Sequence, residues 1–123
     1  MSVVSSEQAP VFDAGGGTTI IGLASPSRGA RDVAAWRVQF APDTPSPTHS
    51  LTREETFVVL SGSVTARFDD HHETAGPGDA LIVAAGSDFS LAAQDGPAEA
   101  ICIMPVGGEA VTADGTFTPP WAE

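Results

Sequence analysis

The chain reads as an all-β protein, a closed or nearly closed antiparallel barrel. Three observations point there. Thirteen glycines and ten prolines punctuate 123 residues, apolar and polar residues alternate over short runs, and no helical apolar period lasts longer than two turns. Short strands joined by tight turns account for all three, and a helix bundle accounts for none.

Residues 1–16 read as an N-terminal arm. It runs into Asp13-Ala14-Gly15-Gly16-Gly17, and because no amphipathic helix follows these glycines a phosphate cradle is not expected. Residues 18–23 predict a first strand, and Ser25-Pro26-Ser27-Arg28-Gly29 supplies turn chemistry. Residues 34–40 alternate cleanly, with Trp36, Val38 and Phe40 on one face and Arg37 and Gln39 on the other. The proline-rich stretch 42–47 then breaks pairing and delivers the chain to His49.

Residues 55–61 are apolar on both faces, Phe57 and Val59 sharing the side of Glu55 while Val58 and Leu60 lie opposite. Such a strand needs a cover on its outer side, either the N-terminal strand or a second subunit. Val64, Ala66 and Phe68 alternate in a partner strand, and residues 69–73 read as a polar turn. His71 and His72 belong to that solvated turn. A second turn at 76–79, with Asp79 tying down turn amides, leads into strands at 80–84, 88–93 and 98–106. The barrel domain is thus placed at 17–107, and 108–123 forms a C-terminal tail packing on the barrel or on a partner, with Trp121 at its stiff Pro-Pro lead-in.

The size fits one domain with one core. A net charge of −11 repels polyphosphate and anionic headgroups, and the five arginines are scattered, so nucleic acid is not an expected partner. The first ten residues lack a charged n-region and an apolar h-region, and the apolar run 80–85 is too short to span a bilayer. A cytoplasmic protein without membrane contact is expected. Cys102, the single cysteine, fits a reducing compartment and reads as a small buried hydrophobe between Ile101 and Ile103.

The chemistry-bearing residues cluster in H-S-L-T-R-E-E-T-F-V-V-L-S-G, from His49 to Gly62. This stretch resembles the first motif of the cupin family, G-x5-H-x-H-x(3,4)-E-x6-G. His49 falls on the first histidine, Leu51 on the second, Glu55 on the glutamate and Gly62 on the closing glycine. The family's second motif, G-x5-P-x-G-x2-H-x3-N, falls on Gly78, Ala84, Gly86, Phe89 and Ala93. The resemblance covers roughly residues 35 to 107. It implies a double-stranded β-helix (jelly-roll) barrel of two antiparallel sheets, and a homodimer.

In the family, three histidines and the glutamate hold a metal; here Leu51 and Phe89 stand at two of those positions. Imidazole and carboxylate suit Zn, Fe, Mn or Ni, but two protein ligands are too few for tight binding. The expectation is therefore a degenerate metal site, with no tightly bound cofactor. His49 and Glu55 then become an acid and base pair, because apolar neighbours favour a protonated carboxyl and imidazole suits proton transfer near neutrality. Leu51, Phe57 and Phe89 turn the metal cup into an apolar pocket, extended by Trp36 or Met104. Arg37 and Gln39 are its polar anchors if their face is inward, and surface if outward. Three functions follow. The first is a small-molecule-binding protein or a metal-independent isomerase, cyclase or lyase. The second is a metal-dependent dioxygenase or isomerase with an incomplete His49 and Glu55 site. The third is a non-catalytic sensor or structural module.

Overall fold

The computed structural model describes residues 2–123. Twelve strands run in chain order: β1 Val11–Asp13, β2 Thr19–Ala24, β3 Val33–Phe40, β4 Ser50–Leu51, β5 Glu55–Ser61, β6 Val64–Arg67, β7 His72–Ala75, β8 Ala80–Val83, β9 Ser90–Ala93, β10 Ala98–Pro105, β11 Ala110–Thr112 and β12 Gly115–Phe117. One sheet has the order β1-β2-β3-β10-β5-β8, and two three-stranded sheets have the orders β12-β11-β4 and β7-β6-β9. All the strand pairs are antiparallel. An isolated bridge between His49 and Phe89 joins the small sheets where β4 and β9 begin, so they act as one wall facing the large sheet. This is the jelly-roll arrangement.

Period-two alternation decides which side chains enter the barrel. On β3 and β10, Ala34, Trp36, Val38, Phe40, Ala98, Ala100, Cys102 and Met104 are buried while their neighbours are more exposed. Each large apolar side chain so buried contributes roughly 1.5–3 kcal/mol. Cys102 pairs with Trp36 on one side and Phe57 on the other. A small group between two large rings leaves space, and that space becomes the lumen.

Turn glycines pin the strand ends. Gly62 has φ +70, and a Cβ there would meet the carbonyl oxygen of Pro97 and lie 2.9 Å from the Ala98 Cβ. Only glycine fits the β5–β6 turn. Gly78 (φ +86) donates its N–H to the Val59 carbonyl, and Gly86 (φ +80) to the Leu51 carbonyl, at 2.8 Å each. As expected, Asp79 Oδ2 accepts from the Gly76 N–H at 2.9 Å.

Three segments differ from the sequence reading. The arm contains β1, paired with β2. The tail contains the β11–β12 hairpin, which pairs with β4, and a 3-10 turn, Pro120–Ala122. Residues 72–75, the first two of which the sequence assigns to the polar turn, form β7 against β6. The common cause is exposure: all of β12 and three of the four residues of β7 are exposed, so no alternation marks them. Backbone pairing and the Thr65–Thr74 hydroxyl hydrogen bond (2.8 Å) hold β7 instead. No helix among the described residues is long and apolar enough to cross a membrane.

Candidate functional site

The lumen holds a cavity of about 220 Å³. Its sides come from β3 (Trp36, Val38, Phe40), β5 (Glu55, Phe57), Cys102 of β10, Ile20 of β2, Leu91 of β9 and Leu51 of β4. Ala14, Gly15 and Thr18 edge it from one end of the chain, and Thr112, Phe117, Pro119 and Trp121 from the other. Trp121 packs against Trp36 (ring centroids 6.4 Å apart) and Phe12 (6.0 Å), so the C-terminal segment closes a corner of the aromatic wall.

Glu55 opens β5 opposite Val83 and points inward with Phe57 and Val59. It is 4% exposed. No side-chain hydrogen bond or ion pair to its carboxyl is found among the described residues, yet no fully enclosed polar side-chain atom lacks a partner. Its oxygens therefore meet the cavity, not packed protein. Burial without a cationic partner disfavours the charged form and pushes the carboxyl from its ordinary 4.5 up to about 8.

His49 is placed by the backbone. Its N–H donates to the Phe89 carbonyl at 3.0 Å, and the Phe89 N–H returns a bond to the His49 carbonyl at 2.9 Å. The rings of this pair lie 4.5 Å apart, with the planes inclined at 44°. His49 Nδ1 lies 3.0 Å from the Pro47 carbonyl oxygen. A carbonyl only accepts, so Nδ1 carries a hydrogen, and in the neutral ring Nε2 keeps the lone pair. Beside it, Ser46 Oγ accepts from the Leu91 N–H at 2.9 Å on the same cavity edge.

The cavity unites His49, Leu51, Glu55, Phe57 and Trp36 from the expected set, and four others fall elsewhere. Arg37 and Gln39 point outward, where Arg37 Nε and Nη2 each bond Glu99 Oε1 at 2.8 Å and Gln39 reaches Glu99 Oε2 at 3.3 Å. They are not anchors in the lumen. Parity with inward Trp36 and Val38 forces them out. Met104 is buried on the inner face but packs over Gly108 beyond the cavity. Phe89 is fully buried behind His49, its ring 6.3 Å from Phe57 and 6.5 Å from Phe68, and it backs the imidazole without lining the cavity. Sequence reasoning missed Ser46, Cys102 and both rim segments; only Trp121 had raised a signal.

Cys102 is fully buried; burial, then the nearby Glu55 charge, pushes its thiol upward. It is a poor nucleophile. His71 sits in the open between Asp70 (2.5 Å) and Glu73 (3.5 Å), a solvated cluster apart from the lumen. The four family positions offer two donors, His49 and Glu55, and two hydrocarbons. Among the described residues no group of three or more His, Cys, Asp or Glu is arranged to hold a metal ion. The side chains present do not fit a cupin metal.

The geometry defines a small β-barrel with a carboxyl-bearing apolar lumen. The Cupin_2 family model, the cupin domain, matches residues 36–104, and the chain belongs to that family. Its fold is similar to that of the polyketide cyclase RemF from Streptomyces resistomycificus, with TM-score 0.75 and 21% identity over 85% of this chain and 79% of that one. An RmlC-like cupin from Shewanella frigidimarina gives 0.73 and 17% over 85% and 90%, and KdgF from a Halomonas species gives 0.71 and 17% over 85% and 94%. No curated protein matches the chain.

Proposed function

We propose that this cupin binds a small, largely apolar molecule in its lumen and acts on it by metal-independent proton transfer, as an isomerase, cyclase or lyase. The observation that carries this reading is a buried, unpartnered carboxyl opening on an aromatic-lined cavity that also holds an imidazole. Glu55, held protonated at neutral pH, is the acid, and His49 Nε2 is the base. A neighbour of the same fold is named a polyketide cyclase, which supports a barrel of this fold as a place for ring-forming chemistry. The setting is cytoplasmic, in keeping with the single free cysteine.

The test is exchange of the α-protons of 2-tetralone, a bicyclic C–H acid, in deuterated buffer, read by mass spectrometry. Wild type is expected to exchange it faster than buffer does. His49→Ala and Glu55→Gln should each slow that exchange by about 100-fold or more. Equal rates in wild type and both variants would rule out proton transfer by this pair.

The reading includes a homodimer through the outer face of the large sheet. Val58 and Ile101 lie side by side there, and Thr56 lies between Ile103 and Ile82, which is 63% exposed. The only charged side chains on the outer faces of β3, β10, β5 and β8 are Arg37 and Glu99, which pair with each other. A second copy is the occupant that such a charge-depleted face suits on a chain of net charge −11. Sedimentation equilibrium should show a dimer that Ile82→Glu converts to monomer, and a monomeric wild type would refute it.

A further inference from the structure

Resting on the lumen-binding reading above, the distribution of charge on the wall names the class of substrate. No arginine borders the cavity, and the chain has no lysine. The ionisable side chains on the wall are Glu55 of β5, His49 ahead of β4 and Cys102 of β10; the residues flanking Glu55 on β8 and β5, Val83 and Phe57, are apolar. A carboxylate or phosphate would find no guanidinium or ammonium to meet it, and the −11 field repels it beforehand.

A cation has one attraction, the Glu55 carboxyl among aromatic rings. Yet seating a cation there strips water from two ions for a single contact, and that desolvation offsets much of the attraction. An uncharged hydrogen-bond acceptor avoids both costs. A neutral carboxyl donates one hydrogen bond, and the apolar rings of Trp36, Phe57 and Trp121 cover a flat hydrocarbon body. His49, which borders the same cavity with Nδ1 taken up by the Pro47 carbonyl, is then the base left for a C–H made acidic by the polarised carbonyl.

We infer that the substrate is an uncharged, ring-bearing carbonyl compound whose oxygen accepts a hydrogen bond from Glu55. In the step so assigned, His49 Nε2 takes the α-proton, the C–H electron pair forms the enol double bond, and the carbonyl oxygen takes the Glu55 proton. The step is redox-neutral. Where the enol is conjugated with a further double bond, returning the proton to the far carbon of that dienol gives isomerisation, and attack of the enol carbon on a second carbonyl closes a ring.

Both tryptophans of the chain line the cavity, so intrinsic fluorescence reads its occupancy directly. Three non-absorbing probes of one shape separate the classes: 2-decalone, decalin-2-carboxylate and trimethyl(decalin-2-yl)ammonium, each titrated at pH 6 and pH 9. The ketone is expected to bind at least about tenfold tighter than either ion at pH 6, and to weaken severalfold at pH 9 as Glu55 loses its hydrogen. Glu55→Gln, whose amide still donates, should bind the ketone with that pH dependence gone. Tighter binding of the carboxylate or the ammonium overturns the class while leaving lumen binding intact, as does a ketone affinity with the same pH dependence in wild type and Glu55→Gln. Failure of all three probes to change the fluorescence at millimolar concentration overturns lumen binding itself.

Discussion

Glu55→Gln is expected to be more stable than wild type by about 5 kcal/mol at pH 9 and no more stable near pH 4. The carboxyl rises from 4.5 in an open chain to about 8 in the folded one, and each unit corresponds to about 1.4 kcal/mol. Below pH 4.5 both states hold the proton, and nothing favours unfolding. Between 4.5 and 8 the unfolded chain releases it while the folded chain keeps it, so every step upward in pH tilts the balance toward the unfolded state. Above 8 the folded chain ionises too, and the full penalty persists. The stability tied to the neutral carboxyl is therefore present at low pH and lost as pH rises through about 8.

Urea unfolding of both proteins from pH 4 to 9 measures this, and subtracting the two curves removes the general repulsion of the −11 charge. A difference that does not vary with pH would mean that Glu55 is solvated and unshifted. A fold that tolerates such a penalty at neutral pH keeps the carboxyl for some reason other than stability. Structural carboxylates are usually paired, and this one meets only the cavity.

Much of this site is legible in the sequence. The spacing of His49, Glu55, Gly62, Gly78 and Gly86 belongs to turns and strand starts that the barrel cannot do without, because each glycine holds a left-handed φ at a strand junction. Alternation on β3 sorted Trp36 from Arg37 but left open which of them looked inward. The answer lies about sixty residues away, where Glu99 of β10 gathers Arg37 and Gln39 on the outer face. Local periodicity carries no information about such a partner. Position 89 was legible as a motif site, but not the reciprocal backbone pair that puts its ring behind His49 instead of on the wall. The rim was hidden for another reason. Gly15, Thr112 and Phe117 lie in exposed segments held by main-chain bonds, where side-chain pattern is silent.

Leu51→His combined with Phe89→His is expected to create a zinc site at the His49 edge of the lumen, where the side chain of position 89 lies against the imidazole. Leu51 stands two residues from His49 on the same side of the strand, and Phe89 faces His49 across the backbone pair. Imidazoles at both positions, with His49 and Glu55, would supply four donors where wild type supplies two. Without metal the double variant should be destabilised by several kcal/mol, since Phe89 is fully buried and Leu51 4% exposed. Zinc at about a thousand times its dissociation constant should return roughly 4 kcal/mol, read as a rise in thermal midpoint that wild type does not show. Binding also requires Glu55 as carboxylate, so zinc should abolish the loss of stability between pH 4.5 and about 8. The two effects must appear together if positions 49, 51, 55 and 89 converge on one point. A variant that binds zinc no better than wild type would show that they do not, and the cavity would then have to be read as a hydrocarbon pocket that never shared the geometry of a metal cup.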